Sequence, residues 1–455
     1  MTRVPSTRPT LSVIIPVHNS AAHLKRCLDH VALSLYTDYE LIVVDDGSTD
    51  DSPQVAEQYG CKLVRCRTNG GPAAARNRGI QEASGQILYF FDCDVCVRPD
   101  TLGRVAECFA AHPETEAVIG SYDEEPGEPD FLSQYRNLFH HWIHQGGSED
   151  ATTFWSGCGA IRKSVLVEYG GFNEEYRRPS IEDIELGYRM RSDGRRMRLD
   201  KQLRVKHMKH WTFCQILRTD VFDRGIPWTE LMFKYPNIPG DLNVTFDQKI
   251  NVVLTHLLAI ALMAAAVVLQ GAFVGPALLA GSLVAANYWL FSWRTAGLRA
   301  RRSVEVLGGL AAASFVAYAF EITALLPAVL LGNALIFVQH QSLRYRRHQT
   351  TWRLLSNLTA AATLGSIAFV LAELPPHPLT LAIAVLALVL LAANSKLYAF
   401  LARRHDVFFA CTAIPFHWMY YYYCGISFAA GLLLHLSRKL AGYRRGVRQP
   451  AATIE

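Results

Sequence analysis

Leu41-Ile42-Val43-Val44-Asp45-Asp46-Gly47-Ser48-Thr49-Asp50 decides the fold, because an apolar run of strand length ends there in two adjacent acids and a turn. A helix start follows at once, with Asp51 or Ser52 as N-cap before Pro53. Outward from this point the pattern repeats. Apolar runs at 11–17, 40–44, 62–64, 86–91 and 117–119 alternate with helix-like stretches at 21–35, 53–59, 72–83 and 100–111. That alternation predicts an α/β domain built on a mostly parallel sheet with both faces covered. Ligands of such sheets sit at the carboxyl ends of the strands. Three polar clusters fall there: Pro16-Val17-His18-Asn19, Asp45-Asp46-Gly47-Ser48 and Asp92-Cys93-Asp94.

The chain has 455 residues, 50% hydrophobic and 19% charged, with a formal net charge of +5. At about 150 residues per domain, two or three domains are expected, and the apolar content excludes a disordered chain. The charge divides sharply: residues 1–249 sum to −6 and residues 250–455 to +11. This split reads as a soluble domain (1–235), a linker (236–249), an all-α membrane domain (250–440) and a basic tail (441–455). Residues 251–293 contain no Asp, Glu, Lys or Arg. One span needs about 20 residues, so this run predicts a two-helix hairpin turning near Gly271–Pro276. The runs 303–340, 354–395 and 407–437 are almost as bare, and every long connection between runs is basic. Basic loops stay cytoplasmic. Each run should therefore leave and return, easily in 251–293 and 354–395. In 303–340 and 407–437 the fit is tight, and one half can instead lie in the interface as an amphipathic helix. The total is about six spans, or up to eight with interfacial and re-entrant helices. Ala285-Ala286-Asn287 and Ala392-Ala393-Asn394 end two of these runs and suggest a tandem repeat, and Tyr420-Tyr421-Tyr422-Tyr423 fits an interfacial aromatic belt. Met1–Thr10 offers no apolar core for a cleavable leader, and the ten scattered cysteines read as reduced thiols. The expectation is a multi-pass protein of the plasma (inner) membrane whose first half faces the cytoplasm.

Adjacent carboxylates repel and resist desolvation unless a cation or a donor-rich ligand meets them. Asp92 and Asp94, at the end of the apolar run 86–91, can turn toward one divalent cation, a hard ion that shares its shell with phosphates. Ser180-Ile181-Glu182-Asp183 reads locally as a capping box, a role compatible with proton transfer by its acids. His140, His141 and His144 suit a cleft wall or a helix face better than a metal centre.

Taken in order, Ser12–Asn19, Leu41–Asp50, Asn69-Gly70-Gly71-Pro72-Ala73-Ala74-Ala75-Arg76-Asn77, Asp92-Cys93-Asp94 and Glu182-Asp183 resemble the family 2 glycosyltransferases over about residues 1–235. The resemblance implies the GT-A fold, Rossmann-like with a mostly parallel sheet, and an inverting transferase using a nucleotide-diphosphate sugar with Mg²⁺ or Mn²⁺. It places Pro16, His18, Asn19, Asp45, Asp46, Arg76, Asn77 and Asp92 around the nucleotide sugar, Asp94 and Asp92 at the metal, and Asp183 with Glu182 at the catalytic base. His18 stands where the family often carries an aromatic ring. Gln215-Ile216-Leu217-Arg218 resembles the start of the Gln-x-x-Arg-Trp motif of processive synthases, with Thr219 in place of the tryptophan. Trp155, Gly157, His207, Gln215 and Arg218 are the candidates for contacts with acceptor or pyrophosphate.

A base at Asp183 favours a hydroxyl acceptor, since a polyprenyl phosphate is already an anion. The expected activity is transfer of one sugar to a hydroxyl of a lipid-linked or membrane-embedded acceptor at the cytoplasmic face, with no nucleic-acid partner. The alternatives are a polyprenyl-phosphate glycosyltransferase, a processive synthase, and a transporter or scaffold whose soluble domain senses nucleotide sugar.

Overall fold

The structure is a computed structural model that describes residues 10–238, 240, 242–269 and 376–447. Strands β1 (Leu11–Val17), β2 (Tyr39–Asp45), β3 (Lys62–Arg65) and β4 (Ile87–Phe90) lie in the order β3-β2-β1-β4, all parallel. Beyond β4 come β5 (Val95–Cys96), β6 (Ala117–Tyr122), β7 (Asp150–Ala151), β8 (Gly159–Arg162) and β9 (Met197–His207). The complete sheet has nine strands and is mixed. Here the expectation of a mostly parallel sheet is corrected, because β4–β8, β6–β8, β5–β9 and β7–β9 are all antiparallel pairs. The reason is local. Gly159 enters opposite Phe90, the last residue of β4, and Ile119, in the middle of β6, and from there β8 runs backwards between them. The detour brings residues 154–158 to the edge where the acidic clusters end.

The helices are α1 (Ala21–Val31), α2 (Ser52–Glu57), α3 (Pro72–Glu82), α4 (Thr101–Ala111), α5 (Phe131–Gly146), α6 (Lys163–Glu168) and α7 (Glu182–Ser192). After them come α8 (Phe213–Arg218), a π-helix (Thr219–Gly225), α9 (Ile226–Lys234), α10 (Phe246–Leu269), α11 (Pro378–Ala393), α12 (Ser395–Arg404) and α13 (Val407–Val447). In α1, Leu24, Cys27, Leu28 and Val31 are buried, the 3,4 spacing of one helix face. They pack with Val13, Ile15 and Val17, while Ile14 points the other way toward α3. A Cβ on Gly79 of α3 would lie 2.4 Å from Ile14 Cγ2, so this glycine sets how closely α3 lies on the sheet.

A second close approach matters more for the site. A Cβ on Gly187, inside α7, would stand 2.2 Å from the backbone nitrogen of Phe154. The missing side chain lets α7 lie directly against the 153–154 backbone. Gly187→Ala is therefore expected to destabilise the protein by about 1–3 kcal/mol through overpacking, read as a lowered melting temperature of the full chain; an unchanged midpoint would contradict this packing.

The chain divides into two compact units, one of residues 1–128, 137–246 and 426–455, the other of residues 129–136 and 247–425. The sheet belongs to the first. In the second, Asn251 and Asn394 exchange amide hydrogen bonds at 3.3–3.4 Å, and Tyr421 donates to Asn394 Oδ1 at 3.0 Å, all three side chains buried. Apolar packing surrounds this knot through Leu258, Ala265, Ile383 and Leu390. Among the described residues one helix, α10, is long and apolar enough to cross a membrane, with a mean hydropathy of 2.6. The number rises to two if α11 and α12, bent by 61° at Asn394, count as one span. Val253, Leu257, Ile260, Met263 and Val267 of α10 are exposed, as lipid-facing positions would be. Run 407–437 does not leave and return: α13 continues unbroken through Pro415. The expected turn at Gly271–Pro276, run 303–340, residues 354–375, Asn287 of the repeat and the end of the tail lie outside the described residues.

Candidate active site

Neighbours of β1 diverge, β2 to one side and β4 to the other, which opens the crevice expected at such a switch point. Pro16 is the buried penultimate residue of β1, and His18 and Asn19 stand exposed just beyond it. His18 Nδ1 donates to the Asp46 carbonyl at 2.9 Å. Asn19, at φ +48, accepts from the Thr49 backbone at 2.7 Å and so holds the loops after β1 and β2 together. Asp45 and Asp46 are both 4% exposed, and each has an amide partner that offsets its desolvation. Asp45 Oδ1 accepts from Ser48 N at 3.0 Å, and the two oxygens of Asp46 accept from Gly70 N and Gly71 N at 2.9 Å each. Gly71 can be nothing larger here, since its φ is +90 and a Cβ would lie 2.3 Å from Arg177 O. The start of α2 differs from the simple N-cap expected. Asp51 makes no side-chain cap, and Asp50 instead binds Ser52 and the Ala21 amide.

Arg76, 3% exposed on α3, joins two halves of the site. Its Nη2 donates to Asp92 Oδ1 and its Nη1 to Glu182 Oε1, each at 2.8 Å. Burial opposes its charge, but Asp92, Glu182 and Asp183 more than offset that, so the guanidinium pKa is raised. Asn77, next along, spends its amide on the loop after α6, bonding Phe172 in both directions and Glu174. These contacts tie α3 to that loop.

Asp94, just before β5, and His207, at the end of β9, are distant in sequence. Asp94 Oδ2 lies 3.5 Å from His207 Nε2, while Asp94 Oδ1 is buried without a hydrogen-bond partner. Burial would raise the Asp94 pKa; His207, with Lys209 and His23 farther off, lowers it to about 2. His207 Nδ1 faces Asn137 Oδ1 at 2.6 Å and so carries a proton. Its Nε2 is the ring nitrogen turned toward Asp94, the position from which an imidazole can ligate a cation. The orphaned Oδ1, on the same carboxylate that faces that nitrogen through Oδ2, fits Mg²⁺ or Mn²⁺. Among the described residues no three His, Cys, Asp or Glu groups are placed to hold a cation alone. Diphosphate oxygens and water would complete the shell, as is usual for Mg²⁺.

The His207 ring stacks on Tyr122, with centroids 4.2 Å apart, and Tyr122 in turn touches His140 and Trp155. His144 donates to the Gly120 carbonyl and His141 to that of Tyr122. Burial pushes the His144 pKa down to about 4. Burial also lowers the His141 pKa, so His141 and His144 serve as neutral wall material behind Asp94. Gly157 makes room for Trp155, whose ring would lie 2.8 Å from an added Cβ.

Asp183 sits in the first turn of α7, but not in the capping box expected from Ser180. The Ser180 hydroxyl donates to the Asp223 carbonyl, its backbone N–H donates to Glu182 Oε2, and the N-cap is Ile181. Asp183 Oδ2 instead accepts from both the backbone N–H and the hydroxyl of Ser156, each at 2.9 Å. Glu182 is thus committed to Arg76 and Asp183 to Ser156. Gln215 and Arg218 lie exposed on α8, and Gln215 closes a capping box with Thr212. That Thr-x-x-Gln pattern was readable beside the synthase-like motif. Sequence reasoning missed Ser156, Asn137 and Tyr122, which no local pattern marks as partners of Asp183 and His207.

Comparison with known proteins follows the same outline. A match to the model "Glycosyl transferase family 2" covers residues 12–170. The putative glycosyltransferase EpsH of Bacillus subtilis is 33% identical over 121 residues, 26% of this chain and 35% of its own length. The PGL/p-HBAD biosynthesis glycosyltransferase of Mycobacterium tuberculosis is 39% identical over 118 residues, 25% of this chain and 46% of its own. The chain thus spans less than half the length of these relatives. Staphylococcus aureus TarS 1-349 in complex with UDP-GlcNAc aligns at a TM-score of 0.39 and 21% identity, covering 49% of this chain and 64% of that one. Over residues 12–170, then, the chain is similar to the family 2 glycosyl transferases.

Proposed function

We propose that the protein is a membrane-bound inverting glycosyltransferase that moves one sugar from a nucleotide-diphosphate sugar to a hydroxyl of a lipid-linked or membrane-embedded acceptor at the cytoplasmic face. The observation that carries this reading is the bridge that Arg76 makes between Asp92 and Glu182, the neighbours of two differently equipped acids. Asp94, beside His207, suits the donor's metal-bound diphosphate; Asp183, held by Ser156, suits an incoming hydroxyl. A divalent cation held by Asp94 and His207 would neutralise charge developing on the departing diphosphate. Asp183 would take the acceptor's proton as its oxygen attacks the anomeric carbon. Arg76 would keep base and donor pocket in register. Helix α10, with its exposed apolar face, supports attachment to a bilayer.

A panel of UDP- and GDP-hexoses incubated with the full chain, membrane lipid extract and Mn²⁺ tests the reading, with mass analysis of the lipid product. One added hexose on a hydroxyl is expected, and Asp94→Asn should lower turnover at saturating Mn²⁺ by about 100-fold. A polymeric product would exclude single transfer, and no turnover of any donor would favour the sensing-domain alternative.

A further inference from the structure

We propose that Ser156 is the positioning residue of the base, and that it selects Asp183 Oδ1 as the oxygen that receives the acceptor's proton. The inference rests on the reading of Asp183 as the base. An ionised carboxylate offers about four lone-pair directions, two on each oxygen. Ser156 occupies both on Oδ2, one with its backbone N–H and one with its hydroxyl, each at 2.9 Å. The Ile184 backbone N–H takes one on Oδ1 at 2.8 Å. A single lone pair remains, on Oδ1.

The surroundings make this arrangement stiff. Ser156 is 2% exposed, and the adjoining residues are pressed onto α7 where Gly187 has no side chain. Trp155 leans over Gly157, which shapes the turn that presents both donors. Without the hydroxyl, Oδ2 would regain a lone pair, and the carboxylate could turn or take the proton on the wrong oxygen. A misdirected base loses rate without losing substrate.

The test is a double-mutant cycle in the full chain, using the UDP- or GDP-hexose that the panel shows to be turned over, lipid extract and Mn²⁺. Ser156→Ala should lower kcat by about 10- to 100-fold, the scale of one hydrogen bond to a charged group. The donor KM should stay within twofold, and Ser156→Thr, which keeps the hydroxyl, should restore most of the rate. In an Asp183→Asn background, Ser156→Ala should cost nothing more, because a residue acting only through the base has nothing left to position. Ser156→Cys, similar in size but a weak donor, carries the same expectation if the alanine variant does not fold. An undiminished kcat in the single variant, or a further loss in the double variant, would overturn the proposal. If Asp183→Asn itself keeps the wild-type rate, the reading of the base fails. If it collapses while Ser156→Ala does not, only the role of Ser156 fails.

Discussion

Arg76→Met is expected to destabilise the protein by about 3–5 kcal/mol and to abolish donor turnover, because it strands the buried Glu182 carboxylate and leaves the half-exposed Asp92 unpaired. Asp92 comes from the end of β4 and Glu182 from the start of α7, and the guanidinium alone bonds both at 2.8 Å. Glu182 is 4% exposed, so water cannot take over the lost bond. Nearby Asp183 and Asp94 would add repulsion that Arg76 now offsets. For a domain of this size the loss corresponds to a melting temperature lower by roughly 10 °C, readable from tryptophan fluorescence of the detergent-solubilised chain. Arg76→Lys should rescue little, since one ammonium cannot reach two carboxylates through a rigid fork. A melting point and turnover unchanged in Arg76→Met would show that the bridge does not hold the site together.

The residues of that bridge were partly legible in the sequence. Apolar runs made β1, β2 and β4 plain, and with them the strand ends that carry Asn19, Asp46 and Asp92. Pro72 in the first turn marked α3, which places Arg76. The sequence did not disclose that Arg76 bonds two acids, because Glu182 lies 106 residues away and only the fold brings them together. β8 was hidden for a related reason. Gly159-Ala160-Ile161-Arg162 is short and weak in strand propensity, and its pairing with β4 and β6 supplies the stability its own residues lack. β9 alternates apolar and charged residues, so it resembles a surface strand until its buried end, His207, is seen against Asp94. Ser156 left no signal at all, since one hydroxyl follows no periodicity.

Asp183→Asn is expected to lower kcat by about 10²- to 10⁴-fold while leaving nucleotide-sugar binding intact, the range for losing a general base. The geometry makes this substitution unusually clean. Ser156 presents two donors to the Oδ2 position, so an asparagine there must place its carbonyl oxygen on that side and its NH₂ on the other. The NH₂ would then stand where Oδ1 now stands, with no lone pair for the acceptor's proton and facing the Ile184 N–H that Oδ1 accepts. Destabilisation should be modest, about 1–3 kcal/mol for the donor left unpaired. Binding of the turned-over nucleotide sugar with Mn²⁺, measured by calorimetry, should change by less than threefold, because Asp94, His207 and Arg76 are untouched. The acceptor decides the outcome. A hydroxyl must lose its proton as the new bond forms, so its transfer collapses with the base. A phosphate acceptor is already ionised and would be glycosylated by Asp183→Asn at nearly the native rate. A variant that binds donor, keeps its melting point within a few degrees and still transfers at full speed would therefore exclude the hydroxyl acceptor and leave a polyprenyl phosphate in its place.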